Sequence, residues 1–312
     1  MIKKEERVKP YRLPLKRRAG DYFRNFTSPF VVIMFLLISL QIFIIIFSLY
    51  WMFTTSLKSQ VNFGIDPIGL PATVRWDNFS KALKYLFVQV KVDGGYRNAY
   101  LPELIQNSLL FAGGHMVMVV ATDMIAGYCL AKFTKFRGIR IIRTIILIKI
   151  VVPVMVSLSA SMDLNKFYGI YDNFPAILYT CIGIFDGDSL IVIGAYAAVH
   201  NSYIEAAKID GASNTRIMFT IAMPLIKTII AIKCITYFIG QWNNYMTPYL
   251  YLPSMPTLSI ALMNFSQSNT NAISSEPMQM AAAALVCLPC LLLFLSIQHK
   301  MVGTMTMGGL KG

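Results

Sequence analysis

Long apolar runs separated by short polar segments dominate the chain. No Asp, Glu, Lys or Arg occurs between Arg24 and Lys58, and about 20 apolar residues are enough for one helix to span a bilayer. Pro289 lies inside the last apolar run, where a proline would kink a helix. The pattern predicts an all-α, polytopic membrane bundle of six transmembrane helices, at 31–53, 106–131, 141–161, 174–197, 224–250 and 279–299.

The polar segments predict which side of the membrane each loop occupies. The arm at residues 1–30 holds nine Lys and Arg, and the loop at 132–143 holds five. Loops at 162–173 and 251–278 hold one lysine between them. Because cytoplasmic loops carry an excess of Lys and Arg, the arm and the tail at 300–312 are both expected in the cytoplasm.

The regions between the termini divide into an anchor, an outer loop and a core. Span one at 31–53 is longer than the apolar part of a signal peptide, so it is expected to remain as an anchor. Residues 54–105 form the longest extracytoplasmic segment, for which a small irregular cap with a short helix is expected. Residues 106–299 would form a core of five transmembrane helices with a cytoplasmic loop at 198–223.

Composition supports a membrane protein and argues against two other classes. The chain is 56% hydrophobic and 14% charged, whereas soluble domains are about 45–50% apolar and about 25% charged. The chain has a net charge of +13. Its clusters of Lys and Arg lie beside apolar runs, so no nucleic-acid partner is expected. No GxSxG, Walker A or HExxH motif occurs, and the CxxC at Cys287 and Cys290 lies in an apolar run, so no catalytic or metal site is expected.

The loop at 198–223 has the sequence of two short helices around a break. Asn201 or Ser202 would cap the first helix. Gly211 suits the left-handed turn that ends it, and Ser213 would cap the second helix. After them, Ile217, Phe219 and Ile221 are expected to hold the second helix against the membrane domain, and Pro224 to start the next span.

Six residues of the loop stand at the spacing of a known motif: Glu205, Ala206, Ala207, Gly211, Ile221 and Pro224. This set resembles the EAA motif of permease subunits in binding-protein-dependent ATP-binding-cassette importers. The run from Glu205 to Ser213 is most similar to the carbohydrate branch. Two positions depart from the pattern, because Met223 replaces a leucine and the usual proline before the loop is absent, with His200 near its position.

The resemblance covers roughly residues 105–312. It includes Asn107–Leu109, Ala126–Phe133, the Trp-Asn segment Gln241–Tyr245 with Pro248, and the tail Gly308–Gly312. The order of these segments is most similar to the second, smaller permease subunit of the maltose-transporter type. The implied fold is that of a type I importer permease with a cytoplasmic coupling helix.

The resemblance also implies partners. A second permease subunit would pair with this chain, and two cassette ATPase subunits would bind ATP and Mg²⁺, with no cofactor on this chain itself. An extracytoplasmic sugar-binding protein would deliver the cargo, and the complex would lie in the bacterial cytoplasmic membrane. The residues implied in contact with the ATPase are Glu205, Ala206, Ala207, Asp210, Gly211, Ala212, Ile221 and Pro224.

Charged residues inside the predicted spans are the remaining candidates for function, because ionisable groups in lipid usually face a cavity or a partner. Asp123 and Lys149 would pair between neighbouring helices. The carboxylates of Asp186 and Asp188 would accept sugar hydroxyls, or one of them would pair with Lys233 or Lys149 instead.

Two further residues, Trp242 and Asn243, complete the set of substrate-path candidates with Asp186 and Asp188. The alternative for Trp242 and the nearby tyrosines is an interfacial aromatic belt. For the chain as a whole, the alternatives are a permease for a non-sugar solute, which would share the loop, and a membrane-embedded glycan or lipid transferase, which would leave the loop unexplained.

Overall fold

The computed structural model describes residues 29–92, 94–151, 158–181, 188–267 and 275–305. Within these ranges the chain is a membrane helix bundle with one small β-hairpin. Several predictions fall outside the described residues: most of the basic arm, the candidate Asp186, and the tail Gly308–Gly312.

The first helix, α1, spans Pro29–Ser56 and holds no charged residue. Only Thr54, Thr55 and Ser56 at its end are buried. An all-apolar helix with an exposed surface satisfies its backbone hydrogen bonds internally, which is what lipid demands. It contacts the last helix, α15 at Glu276–Met305.

The outer segment is more regular than the sequence suggested. It holds helices α2 at Gln60–Ile65 and α3 at Asp77–Tyr85, then strands β1 at Val88–Val92 and β2 at Gly95–Ala99. The strands are antiparallel. The hairpin was not expected from the sequence, although alternating valines followed by a glycine turn favour one.

Polar contacts hold this cap to the end of α1. The side chain of Asn78 donates to the carbonyls of Ser56 and Lys58, at 2.8 Å each. Lys58 is fully buried and its Nζ donates to the carbonyl of Asp66 at 2.7 Å. These bonds satisfy carbonyls that a helix end leaves unpaired. The backbone N–H of Gly69, donating to the Asp66 carboxylate, lowers the pKa of that group.

The central helix of the bundle is α4, at Leu101–Lys132. It starts five residues before the predicted span, with Pro102 in its first turn. Backbone N–H groups in the first turn have no partner within the helix, so a proline there loses no hydrogen bond. It packs against α12 at Lys227–Asn243, α8 at Ser189–Ala198 and α14 at Leu258–Gln267.

The third and fourth predicted spans correspond to shorter helices. These are α5 at Arg137–Val151, α6 at Leu158–Phe167, α7 at Phe174–Thr180 and α8 at Ser189–Ala198. Residues 152–157 and 182–187 between them lie outside the described ranges. Three described helices, α1, α4 and α15, are long and apolar enough to cross a membrane, or four if a bent pair counts as one span. The number six therefore stays a prediction.

That bent pair replaces the start of the fifth predicted span. Helix α10 at Asn214–Ile217 runs through a π-helical stretch, Met218–Ala222, into α11 at Met223–Leu225. The joined segment meets α12 at an angle of 79°. Pro224 therefore lies before the bend, and the long helix begins at Lys227, not at residue 224. Helix α13, Met246–Tyr251, follows after a break.

Candidate coupling loop and membrane cavities

Between α8 and α12 the chain forms a helix–turn–helix. Helix α9, Asn201–Ile209, is followed by a turn at Gly211, whose φ of 77° is left-handed. The Gly211 amide donates to the carbonyl of Lys208 at 3.0 Å, and the Ala212 amide to that of Ala207 at 2.9 Å. This pair of bonds is a Schellman motif, so the predicted turn at Gly211 is present.

Side chains cap both helices of this loop. The hydroxyl of Ser213 accepts a hydrogen bond from the amide of Arg216 at 3.3 Å, as predicted. For α9, neither Asn201 nor Ser202 is the capping residue. The imidazole of His200 accepts from the Ser202 amide at 3.3 Å instead. The sequence does not predict this role, because His is not a preferred cap.

A lysine at the end of the central helix holds the start of the loop, a contact that the sequence did not predict. Lys132, the last residue of α4, donates from Nζ to the carbonyl of Val199 at 2.6 Å. It donates also to the side chain of Asn201 at 3.1 Å. The bonds tie the end of α8 and the start of α9 to the central helix, so the loop does not depend on its own two helices alone for its position.

The loop has an apolar core of its own. Ile204 and Ala207 from α9 pack on Ile217 from α10, with Ala212 and Ile221 half-buried beside them. Ala207 therefore points inward, where its small size lets the two short helices approach.

Attachment of the loop to the membrane helices differs from the prediction. Met218 and Ala222 pack into the cluster formed with α4 and α8, whereas Phe219 is half-exposed. The expectation that Ile217, Phe219 and Ile221 fix the second helix to the membrane domain was wrong. The π-helical stretch from 218 to 222 shifts the periodicity by one residue per turn, so a 3.6-residue pattern assigns the wrong face.

The outer face of α9 is open. Glu205, Ala206 and Asp210 are exposed, and so are Tyr203 and Ile209, the latter at 87%. The exposed surface of α9 therefore combines carboxylates with apolar side chains. Five of the eight predicted contact residues, including Gly211 and Pro224, are exposed, and the other three are half-buried or buried.

Three helices meet at a buried charge pair. Lys233 on α12 forms an ion pair with Asp123 on α4, and both side chains are nearly inaccessible. The hydroxyl of Ser189 on α8 donates to the Asp123 carboxylate at 2.8 Å, and the Lys233 ammonium lies 5.2 Å from the ring centre of Tyr237. The predicted Asp123–Lys149 pair was therefore wrong, because Lys233 on a different helix takes that partner.

Asp188 lies beside this pair but does not join it. It borders a cavity of about 260 Å³ together with Lys233 and Thr236, and the rest of the described lining is apolar. The alternative that Asp188 pairs with Lys233 is not what the structure contains. Its carboxylate is exposed at the start of α8, so a role in the substrate path stays a prediction.

Trp242 and Asn243 are adjacent in sequence and differ completely in environment. The indole of Trp242 is 2% exposed, stacks on Phe238 and donates from Nε1 to the Val286 carbonyl at 3.2 Å. It is a core residue that joins α12 to α15, not a cavity-lining or interfacial one. Asn243 instead borders a second cavity, of about 460 Å³.

The described residues contain no group of three or more His, Cys, Asp or Glu side chains placed to hold a metal ion. Their candidate sites are a loop with an exposed face, fixed to a membrane bundle, and the cavities beside Lys233 and Asn243. Residues 123–303 match the family described as binding-protein-dependent transport system inner membrane components. The chain belongs to this family. Its members are transport subunits, and the match covers the loop, the charge pair and both cavities.

Individual relatives agree with the family. The melibiose/raffinose/stachyose import permease protein MelC of Bacillus subtilis is 27% identical over 272 residues, 84% of this chain and 90% of that protein. The maltodextrin transport system permease protein MdxG of the same organism is 30% identical over 214 residues, 66% of this chain and 74% of that protein.

A solved structure has the same fold. It is a chain of a bacterial ABC transporter involved in the import of the acidic polysaccharide alginate, with a TM-score of 0.68. The superposition covers 93% of this chain and 99% of that one at 18% identity. The fold of this chain is therefore that of an importer permease.

Proposed function

We propose that this chain is a permease subunit of an ATP-driven importer for a sugar or oligosaccharide. In this proposal the segment from α9 to α10 is the coupling helix, and a separate cassette ATPase binds ATP and Mg²⁺. A second permease subunit completes the pathway, and an extracytoplasmic binding protein delivers the sugar. Six transmembrane helices would place both termini and the coupling helix in the cytoplasm.

The observation that carries the coupling role is the outer face of α9. Glu205 and Ala206 are exposed while Ala207, one residue on, is buried. The exposed face therefore offers a carboxylate beside a residue too small to hold a neighbour away. Its anchorage through Lys132 and Met218 gives a rigid route by which movement of a partner would reach α4 and α8.

The carbohydrate cargo rests on the relatives. One relative is named for the import of melibiose, raffinose and stachyose and another for the transport of maltodextrin, and a third is a lactose transport system permease protein, 27% identical over 278 residues. These matches extend over most of both chains. A membrane-embedded transferase would leave both the loop and the family match over residues 123–303 unexplained.

The Glu205→Ala variant tests the coupling role. We expect it to lower sugar uptake by the reconstituted transporter at least about tenfold, because truncating one partner of a desolvated charge pair costs about 2–5 kcal/mol. Uptake and binding-protein-stimulated ATP hydrolysis are both measured in proteoliposomes.

Asp163→Ala is the matched control, because it removes an exposed carboxylate from α6, outside the coupling loop. It should leave uptake and hydrolysis within about twofold of the wild type. Normal uptake and normal stimulated hydrolysis in Glu205→Ala would contradict the assignment of the coupling helix. Affinity purification from native membrane tests the partners, and the absence of a cassette ATPase would contradict the proposal.

A further inference from the structure

The larger of the two cavities, about 460 Å³, lies at the end of α12 that is remote from the coupling loop. Its volume falls within the range of about 300–1,000 Å³ that small-molecule sites occupy. One face of α14 and one face of α15 border this cavity. The lining residues on α14 stand at i, i+3, i+4 and i+7, and those on α15 have a similar spacing. The lining residues on these stripes are Ser259, Leu262, Met263 and Ser266, with Gln267, and Gln279, Met280, Ala283 and Val286.

Two more lining residues come from the break after α12. Asn243 is the last residue of that helix, and Tyr245 stands in the turn before α13. The amide of Asn243 donates to the carbonyl of Ile239 at 2.9 Å, which uses one of its two hydrogens. Its carbonyl oxygen and the second hydrogen are left for a ligand.

A second amide faces the same space. The side chain of Gln279 makes one long hydrogen bond, 3.4 Å, to the carbonyl of Ser266. Its oxygen is therefore also available as an acceptor. The amides of Asn243 and Gln279 and the phenol of Tyr245 offer both donors and acceptors around one volume, against methionine and aliphatic side chains. A sugar presents the same mixture, with hydroxyls that donate and accept around apolar C–H faces.

The lining also limits which sugars fit. None of the described residues that border this cavity carries a charge. An acidic sugar would bring a carboxylate, and binding sites for carboxylates use arginine, lysine or several aimed N–H groups, because an uncompensated charge is costly to desolvate. The smaller cavity, by contrast, has both Lys233 and Asp188 in its wall.

We propose that the 460 Å³ cavity is a subsite for a neutral saccharide, held by Asn243, Tyr245 and Gln279. The inference rests on the proposed function for the direction of transport, because the cavity lies on the side away from the coupling loop. It adds that this subunit itself contacts the sugar, close to where the sugar leaves the binding protein. It also adds that uncharged sugars are bound in preference to uronates.

The test uses the assembled transporter in nanodiscs without its binding protein, so that the permease alone selects the ligand. Saturation-transfer difference NMR is recorded with raffinose, with maltotriose and with a tri-uronate. The variants are Asn243→Ala and Gln279→Ala, each of which removes an amide. Tyr249→Ala is the matched control for Tyr245→Ala, because Tyr249 is half-exposed on the neighbouring α13 and does not border the cavity.

We expect wild type to give saturation transfer with at least one neutral trisaccharide and none with the tri-uronate. Asn243→Ala, Gln279→Ala and Tyr245→Ala should each reduce the neutral signal about tenfold at fixed ligand concentration, and Tyr249→Ala should retain it. Thermal melting of every complex establishes that the variants are folded. Wild-type signals in the folded variants, equal signals from the tri-uronate, or no signal from any neutral sugar would each overturn the subsite.

Uptake separates this failure from failure of the proposed function. Proteoliposomes with the binding protein present are assayed for sugar uptake. If uptake proceeds and the three variants behave as wild type, the chain imports sugar but this cavity is not a subsite. If wild type takes up no sugar at all, the importer proposal itself fails, whatever the NMR reports.

Discussion

At the scale of single residues, Lys233 and Asp123 form a buried ion pair between two helices of the bundle. Each charge is almost wholly removed from solvent, and neither would be tolerated without the other. Ser189 adds a hydrogen bond from a third helix. Opposite charges on neighbouring helices thus fix the relative rotation of α4, α8 and α12 as well as their separation.

Lys233→Met removes one partner of this pair. We expect a loss of about 3–5 kcal/mol in stability, because the variant leaves the Asp123 carboxylate buried and uncompensated. Thermal denaturation of the purified transporter measures the effect. The double variant Lys233→Met/Asp123→Asn is the control and should recover most of the stability, so a double variant no better than the single one would refute the pairing.

Gly211 decides how the coupling loop turns. At its φ of 77° an L side chain costs about 1–2 kcal/mol. Gly211→Ala should therefore loosen the Schellman turn and speed hydrogen exchange at the Ala212 amide by roughly 5–30-fold. Gly138→Ala, which has open space and no positive φ, serves as control. Unchanged exchange at Ala212 would mean that the turn does not require glycine.

At the scale of elements, the close contact between α4 and α8 depends on one missing side chain. A Cβ placed on Gly127 would lie 2.7 Å from the Cγ1 of Val192. Valine is stiff at χ1, so it has no simple way to move aside. Small residues at helix contacts are the usual means by which membrane helices approach closely.

Gly127→Ala is therefore expected to destabilise the bundle by about 1–3 kcal/mol, as overpacked cores do. Gly113→Ala on the same helix is the matched control. A Cβ there meets nothing within 4 Å, and alanine is the better helix former by about 1 kcal/mol. Gly127→Ala should lower the melting temperature relative to wild type, and Gly113→Ala should raise it. A Gly127→Ala variant as stable as wild type would contradict the close packing.

At the scale of the whole molecule, the direction of α12 separates two ends of the bundle. The helix starts after the coupling loop and ends at Asn243, beside the larger cavity. Seventeen helical residues rise about 25 Å, which is most of the hydrocarbon core. The coupling loop and the cavity would then lie on opposite sides of the membrane.

Cysteine labelling tests this arrangement. In a background without the five natural cysteines, Lys208→Cys should react with a membrane-impermeant maleimide only in inside-out vesicles. Ser254→Cys, beyond the other end of α12, should react in right-side-out vesicles. Both positions are exposed. Labelling of the two residues from the same side would contradict both the predicted topology and the place of the cavity on the outer face.

The amount that the sequence determined differs by scale. It determined that the chain lies in a membrane, because long uncharged apolar runs have no other stable environment. It also determined the glycine turn and the Ser213 cap, since each depends on chemistry within four residues. The family followed from the loop for the same reason: its motif is local and contiguous.

Only the tertiary structure decided which distant groups meet. The sequence pattern predicted a pair between Asp123 and Lys149, whereas helix packing places Lys233 against Asp123. Trp242 and Asn243 are neighbours in the chain, yet one lies in the core and the other borders a cavity. A π-helical stretch and a 79° bend change which face of the helix each residue occupies. A periodic sequence pattern does not predict these deviations, because contacts from other helices stabilise them.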